Sequence, residues 1–109
     1  MISPFQHSNQ LILLFAGNNR SPDYEKALLE LSKDPIGLDS RDLLLFEIFQ
    51  TGGIQPDGSS LSEEEAEKLR DFFKVNKSEF SIVIVDKNLQ EIFRAEQPVT
   101  VKEIFSAID

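Results

Sequence analysis

The polar residues best suited to chemistry directly follow an apolar run. Between the run Leu11–Ala16 and Pro22 stand Gly17, Asn18, Asn19, Arg20 and Ser21. A guanidinium, a hydroxyl and the free backbone amides at a helix start together favour a small anion or a carboxylate. The same residues also suit a plain turn, because Asn tolerates left-handed backbone angles and Ser caps helices. The sequence leaves both interpretations open, the turn being the commoner use of so short a motif.

A second cluster of reactive residue types is acidic and consists of Glu63, Glu64, Glu65 and Glu67. These carboxylates could form a metal site or an acid/base pair. Acidic groups at a helix start are also favoured by the helix dipole, which explains them without a ligand. The preceding Asp57-Gly58-Ser59 does not complete the spacing of a calcium-binding loop. We therefore predict a solvated helix start and no metal site.

Composition excludes most thiol and imidazole chemistry. The 109 residues include 0 Cys and 1 His, which is His7. Without cysteine there is no thiolate nucleophile, redox dithiol, disulfide or thiolate zinc site. A lone imidazole without a placed nucleophile is not a catalytic triad. We predict no catalytic residue and no cofactor, and we keep an enzyme that uses other groups as an alternative.

The net charge restricts the expected partners. Asp and Glu number 19 against 11 Lys and Arg, which gives a net charge of −8. Nucleic acids bind mainly to clustered Lys and Arg, and anionic membranes repel an acidic surface, so neither is an expected partner. No apolar run approaches the ~20 residues that span a bilayer. We expect a soluble protein whose partner is a protein or a small anionic ligand. Its compartment stays open: cytoplasmic, or exported if a signal peptide has been removed.

Apolar patterns predict the elements that position these groups. The uninterrupted run Leu11–Ala16 is typical of a central strand buried on both faces. Ser21-Pro22 then starts a helix. The apolar face of that helix consists of Tyr24, Ala27, Leu28 and Leu31. Asp34–Gly37 ends the helix and opens a loop, and Leu43–Phe49 is a second strand. This order indicates a right-handed parallel crossover.

The second half of the chain predicts a strand hairpin between two helices. Thr51–Ser60 is rich in Gly and is expected to be a flexible connection. Ser62 and Glu65 have the spacing of a capping box, which starts a helix that ends near Lys74. Two antiparallel strands are predicted at Phe80–Val85 and Glu91–Ala95. A capped final helix begins at Thr100–Glu103.

The element order βαβαββα predicts a thioredoxin-like α/β fold. Its four-stranded mixed sheet has the strand order 2-1-3-4 and is flanked by three helices, which places the first strand inside. We assign residues 10–109 to this single domain and residues 1–9 to an N-terminal extension. Thioredoxins and peroxiredoxins carry the reactive cysteine in the loop after the first strand. Redox enzymes of this fold also place a cis-proline just before the third strand. Here the loop has no cysteine and Lys77–Ser81 has no proline, so both parts of a redox site are missing.

One charged pair is expected to lie away from the loop. Arg41-Asp42 immediately precedes the strand Leu43–Phe49. In an open α/β sheet, ligands bind beyond the carboxyl ends of the parallel strands. Arg41-Asp42 belongs to the opposite end, so we interpret it as a structural motif with a pairing or anchoring role.

Several segments together resemble a known family. They are Asn9–Ala16, Gly37–Leu45, Phe80–Asn88 and Ile104–Asp109. They are similar to the peroxiredoxin-like domain of unknown function found in bacterial proteins. In animals this domain occurs in sushi-repeat-containing proteins and in a coiled-coil-domain matrix protein. The most specific pieces are the Arg41-Asp42 step and the Ile-Phe-x-x-Ile-Asp ending. The resemblance implies a thioredoxin-like fold without a catalytic cysteine pair, no established activity, and animal members that act in matrix and adhesion.

Three hypotheses of function follow. The first is a non-catalytic binding or interaction module whose contact edge is the loop Gly17–Ser21 with the neighbouring Gly52-Gly53. The second is an antioxidant-related, peroxiredoxin-like enzyme that uses non-thiol groups. The third is a self-associating structural domain that pairs through an exposed edge strand, either Leu43–Phe49 or Glu91–Ala95. We expect a monomer or a weak homodimer.

Overall fold

The chain folds into a mixed sheet with helices on both faces. A computed structural model describes residues 10–109. The predicted N-terminal extension, residues 1–9 with His7, lies outside the described residues. The elements in chain order are β1 (Gln10–Phe15), α1 (Pro22–Leu31), α2 (Pro35–Ser40), β2 (Leu43–Phe49), β3 (Gly52–Ile54), β4 (Ser60–Leu61), α3 (Glu63–Phe73), β5 (Ser81–Val85), β6 (Glu91–Ala95) and α4 (Val101–Ile108).

The sheet contains the predicted strand order within a larger sheet. Its six strands run in the order β4-β3-β2-β1-β5-β6. β1 and β2 are parallel, and the other neighbouring strands are antiparallel. The inner order β2-β1-β5-β6 confirms the thioredoxin-like arrangement 2-1-3-4. The predicted count of four strands is wrong, because β3 and β4 extend the sheet beyond β2.

The additional strands arise from a segment expected to be a flexible connection. Gly52 has a φ of +137°, and Leu61 O lies 2.5 Å from the position where its Cβ would stand. At Gly53, the corresponding distance to Glu47 O is 2.0 Å. The glycines therefore serve here for close backbone approach between strands and not only for loop flexibility. This use of glycine is the physical reason that the segment pairs with β2.

A second difference concerns the segment after α1. Asp34–Gly37 was expected to open a loop, and it instead begins the short helix α2. Asp34 Oδ1 accepts a hydrogen bond from the Gly37 backbone N–H at 2.9 Å, and Pro35 occupies the first helical position. An acidic cap followed by proline is a helix start, which outweighed the loop tendency of the composition. Residues 10–109 therefore contain four helices rather than the predicted three.

The core lies on both faces of β1, as the apolar run predicts. Leu11, Leu13 and Phe15 belong to the apolar cluster that also contains the buried residues of α3. Ile12 and Leu14 belong to the opposite cluster, with the buried residues of α1 and α4. A central strand covered by helices on both sides needs this continuous hydrophobicity.

Both predicted capping boxes are confirmed. Ser62 Oγ accepts from the Glu65 N–H at 3.1 Å, and the Glu65 carboxylate accepts from the Ser62 N–H at 3.2 Å. The Thr100 hydroxyl and the Glu103 carboxylate make the same reciprocal bonds at 3.1 and 3.3 Å. These boxes fix where α3 and α4 begin.

Among residues 10–109, none of the helices has the length and hydrophobicity that a membrane span requires.

The parallel pair defines two edges of the sheet. β1 and β2 start together, with Gln10 opposite Leu43, and end together, with Phe15 opposite Ile48. The sheet end at which both strands terminate is called the carboxyl edge. The opposite end, at which both strands begin, is called the amino edge. The loop Gly17–Ser21 follows β1 at the carboxyl edge.

Candidate functional site

The loop after β1 uses two of its polar side chains to hold its own turn and to start α1. Asn18 Oδ1 accepts from the Arg20 N–H at 2.8 Å, and Ser21 Oγ caps α1 by accepting from the Tyr24 N–H at 3.4 Å. Asn18, Asn19 and Arg20 are nevertheless exposed. Among residues 10–109, no carboxylate forms an ion pair with Arg20. The loop therefore presents an unneutralised guanidinium at the start of a helix.

Backbone hydrogen bonds extend the strand pairing into this loop. The Ala16 N–H donates to Ile48 O at 3.0 Å, and the Gln50 N–H donates to Gly17 O at 3.3 Å. A Cβ on Gly17 would lie 3.6 Å from Gln50 Nε2 and 3.7 Å from the Ser78 Cα. The first residue of the loop is thus half-buried, whereas its next three residues are exposed.

A buried arginine that the sequence analysis missed lies against the end of β2. Arg70 of α3 is only 4% exposed. Its guanidinium donates from Nη1 to Phe49 O and from Nη2 to Gln50 O, the latter at 3.4 Å. The signal was present in the sequence, because Arg70 lies four residues after Ala66 and three before Phe73, on the buried stripe of the helix.

A tyrosine that follows the loop in the chain contacts a glutamate of β2. Tyr24, in the first turn of α1, donates its phenol proton to the Glu47 carboxylate of β2. The Tyr24 ring also packs edge-on against Phe49, with ring centroids 5.1 Å apart. Burial, followed by the hydrogen bond and the charge of Glu47, raises the pKa of Tyr24 above its ordinary value. All of these causes favour the protonated phenol, which is the donor in the hydrogen bond to Glu47.

The predicted structural motif lies at the amino edge, away from the loop. The Arg41 guanidinium donates to both carboxylate oxygens of Asp109, at 3.1 and 2.8 Å, and to Gly37 O at 3.0 Å. The Cζ atom of Arg41 also lies 3.8 Å from the centroid of the Phe105 ring. The bond from Arg41 lowers the pKa of Asp109. Asp42 has a left-handed backbone, with a φ of 55°. These contacts join α2, the start of β2 and α4, a geometry that suits anchoring.

Two of the four glutamates predicted at the start of α3 have local partners. Glu65 completes the capping box, and Glu64 pairs with Lys68 at 3.4 Å. Within the part of the chain that the structure describes, no group of three or more His, Cys, Asp or Glu could hold a metal ion. Peptide bonds in residues 10–109 include no cis bond.

Comparison with known proteins assigns the family. A profile described as "Domain of unknown function (DUF4174)" matches residues 1–109. The chain belongs to the DUF4174 family. This DUF4174 chain is 28% identical over 114 residues to the sushi repeat-containing protein SRPX2 of Homo sapiens, covering 100% of this chain and 24% of that protein. It is 26% identical over 113 residues to SRPX2 of Xenopus laevis, with 99% and 24% coverage. The DUF4174 chain thus spans about a quarter of the length of the curated relatives it matches.

Solved structures similar to the DUF4174 chain include peroxiredoxins. The reduced 2-Cys peroxiredoxin of Plasmodium vivax superposes with a TM-score of 0.71 at 18% identity, covering 99% of this chain and 80% of the other. AhpC of Mycobacterium tuberculosis gives a TM-score of 0.67 at 15% identity, covering 98% and 75%. These similarities confirm the thioredoxin-like, peroxiredoxin-like fold. The DUF4174 chain combines that fold with a sequence that contains 0 Cys.

Proposed function

We propose that this DUF4174 chain is a non-catalytic binding module whose contact surface is the loop Gly17–Ser21. The observation that supports it best is the exposed Arg20, which has no ion-pair partner among residues 10–109 and precedes the start of α1. A fork of guanidinium donors beside a helix start fits a carboxylate or another small anion. The ligand is then a free anion or an acidic side chain of a protein partner.

The other part of the predicted contact edge is already occupied. Gly52 and Gly53 pair with β2 and β4, and Gly52 is buried. Their backbone groups are therefore committed to the sheet. This leaves the loop Gly17–Ser21 to carry the proposed contact.

Self-association has less support from the geometry. The candidate edge Leu43–Phe49 is wrong, because β2 lies between β1 and β3. β6 is an end strand, but its pairing with β5 has a bulge or irregularity between Ile84 and Val85. Its Glu91 and Arg94 are also charged and pair with each other at 2.8 Å. Bulges and charges are features by which edge strands avoid pairing with another chain. A monomer or weak homodimer stays a prediction, testable by solution mass over a dilution series.

A thermal-shift titration tests the proposed function. Acetate and inorganic phosphate are added at constant ionic strength, with chloride as the reference salt. A ligand at ten times its dissociation constant stabilises the native form by about 1.4 kcal/mol. We expect this stabilisation to disappear in Arg20→Ala. The matched control is Lys87→Ala, because Lys87 is exposed and follows β5 at the amino edge.

Two results would contradict the proposal. Equal losses in Arg20→Ala and Lys87→Ala would mean that the anions act through the general charge of the protein. No shift with either anion in the unchanged protein would mean that the loop is only a turn.

A further inference from the structure

Arg70 is a buried charge whose position needs an explanation. It is the only charged residue in the buried part of residues 10–109. No carboxylate of the described residues forms an ion pair with it. Burying a cation without a counter-charge is costly, and an apolar side chain would fill the same helix position without that cost. The explanation must therefore lie in the groups that Arg70 contacts.

The contacts of Arg70 lead from α3 to the loop. Its two terminal nitrogens donate to the successive carbonyls of Phe49 and Gln50. The N–H of Gln50 in turn donates to Gly17 O at 3.3 Å. Gly17 is the first residue of the loop that carries Arg20. One buried guanidinium is thus two hydrogen bonds away from the proposed contact surface.

We propose that Arg70 is a positioning residue of the carboxyl edge, which holds Gln50 and, through it, the loop, and whose charge favours an oxyanion there. The proposal rests on the proposed function and deepens it, because it names the chemistry of the ligand: a carboxylate or a phosphate. Arg70 acts through Gln50 and makes no contact with the ligand itself.

The geometry requires arginine rather than any cation. The planar guanidinium presents two donors to two successive carbonyls, whereas a lysine ammonium is a point charge on a flexible stem. Arg70→Lys keeps the charge and loses the bridge between Phe49 O and Gln50 O. Arg70→Met keeps much of the volume and loses both the charge and the bridge.

The test measures loop order and anion affinity separately. Amide hydrogen exchange at Gln50 reports the bond to Gly17, and titration with acetate and with inorganic phosphate reports affinity. We expect Arg70→Lys to exchange the Gln50 amide about tenfold faster, because it loses one hydrogen bond that restrains this residue. We also expect it to bind the preferred anion several-fold more weakly. Arg20→Ala should lose affinity without changing exchange at Gln50.

Arg94→Lys is the matched control. Arg94 also donates to a backbone carbonyl, Phe73 O at 2.7 Å, but this carbonyl ends α3 and does not belong to the loop connection. The control should leave Gln50 exchange and anion affinity unchanged. The acetate and phosphate arms decide between a carboxylate and a phosphate ligand.

Three outcomes decide the proposal. Unchanged Gln50 exchange in Arg70→Lys overturns the positioning role, even if the melting temperature falls. Faster exchange together with weaker binding supports it. If the unchanged protein binds neither anion, the proposed function and the choice of ligand fail, and Gln50 exchange alone decides whether Arg70 positions the loop. Arg70→Lys carries these measurements if Arg70→Met does not fold.

Discussion

The hydrogen bond between the buried Tyr24 and the half-buried Glu47 leads to a prediction that can be measured on one chromophore. The chain has 1 Tyr and 0 Trp, so phenolate absorbance reports Tyr24 alone. Tyr24 is 8% exposed and donates to the Glu47 carboxylate. Burial first, and then Glu47, raise the pKa of Tyr24 above its ordinary value. We therefore expect Tyr24 to stay protonated in the folded protein at a pH where a free tyrosine ionises.

This shift fixes the sign of the alkaline stability change. An unfolded tyrosine ionises near pH 10, while folded Tyr24 still holds its proton. The stability from the raised pKa is present below about pH 10 and is lost as the pH rises above it. Each unit of pH between the unfolded and the folded pKa lowers the free energy of unfolding by about 1.4 kcal/mol.

Tyr24→Phe is the corresponding perturbation, because it keeps the ring and removes the hydroxyl. A hydrogen bond to a charged group contributes about 1.5–3 kcal/mol. We expect the free energy of unfolding at neutral pH to fall by about 2 kcal/mol, which is near the middle of that range. The half-buried Glu47 carboxylate then loses this donor. Glu47→Gln, which keeps an acceptor oxygen, is expected to lose less.

The assay combines an absorbance titration with circular dichroism. In the native protein, phenolate absorbance should rise only together with unfolding, whereas in concentrated urea it should rise near pH 10. Urea denaturation of the two variants gives the neutral-pH loss. Ionisation of Tyr24 near pH 10 in a protein that is still folded would refute the reasoning. A Tyr24→Phe protein as stable as the unchanged chain would refute it as well.

Other predictions concern the anchor, the sheet extension and the loop. Arg41→Ala should lower the melting temperature at neutral pH, because it removes the ion pair with Asp109. The ion pair lowers the pKa of Asp109, so the difference in melting temperature should decrease as the pH falls through that pKa. Thermal melts of both proteins over an acid pH series measure this difference. An equal effect at every pH would contradict a role for the ion pair. Gly53→Ala should cost about 3 kcal/mol in urea denaturation, because its Cβ would meet Glu47 O at 2.0 Å. Gly58 has a φ of +88° and nothing within 4 Å of its Cβ position, so Gly58→Ala should cost only about 1 kcal/mol of backbone strain. Equal costs would contradict close approach as the reason for Gly53. Asp23→Asn should strengthen phosphate binding in the same thermal-shift titration, because Asp23 places a negative charge in the first turn of α1. Weaker binding would argue against an anion at the loop.

Local signals were sufficient for most of the fold. The run Leu11–Ala16 predicted the central strand, and the spacing of Ser62 with Glu65 predicted the start of α3. Each signal depends on residues that are neighbours in the chain, so no knowledge of distant contacts was needed. The order of strands and helices then predicted the parallel pair and its neighbours, because such crossovers have one hand.

The sequence-based predictions were wrong where one residue pattern suits two structures and contacts with distant backbone decide between those structures. Gly52 and Gly53 are typical of a loop, and they also allow another strand to approach closely. Only the proximity of Glu47 O and Leu61 O selects the second use. Asp34-Pro35 similarly suits both the end of one helix and the start of another. Only the end of a helix was predicted from this pattern, and the short helix α2 was therefore missed.

The sequence by itself determined that this domain has no thiol chemistry and that its exposed loop follows a central strand. Tertiary structure alone decided which groups the buried Tyr24 and Arg70 contact. Tyr24 meets Glu47 across 23 positions, and Arg70 meets Phe49 across 21. Helical spacing places Tyr24 and Arg70 on the buried faces of their helices. It does not predict their partners, because a hydrogen bond between separate elements depends on how a helix packs on the sheet and not on spacing along either element.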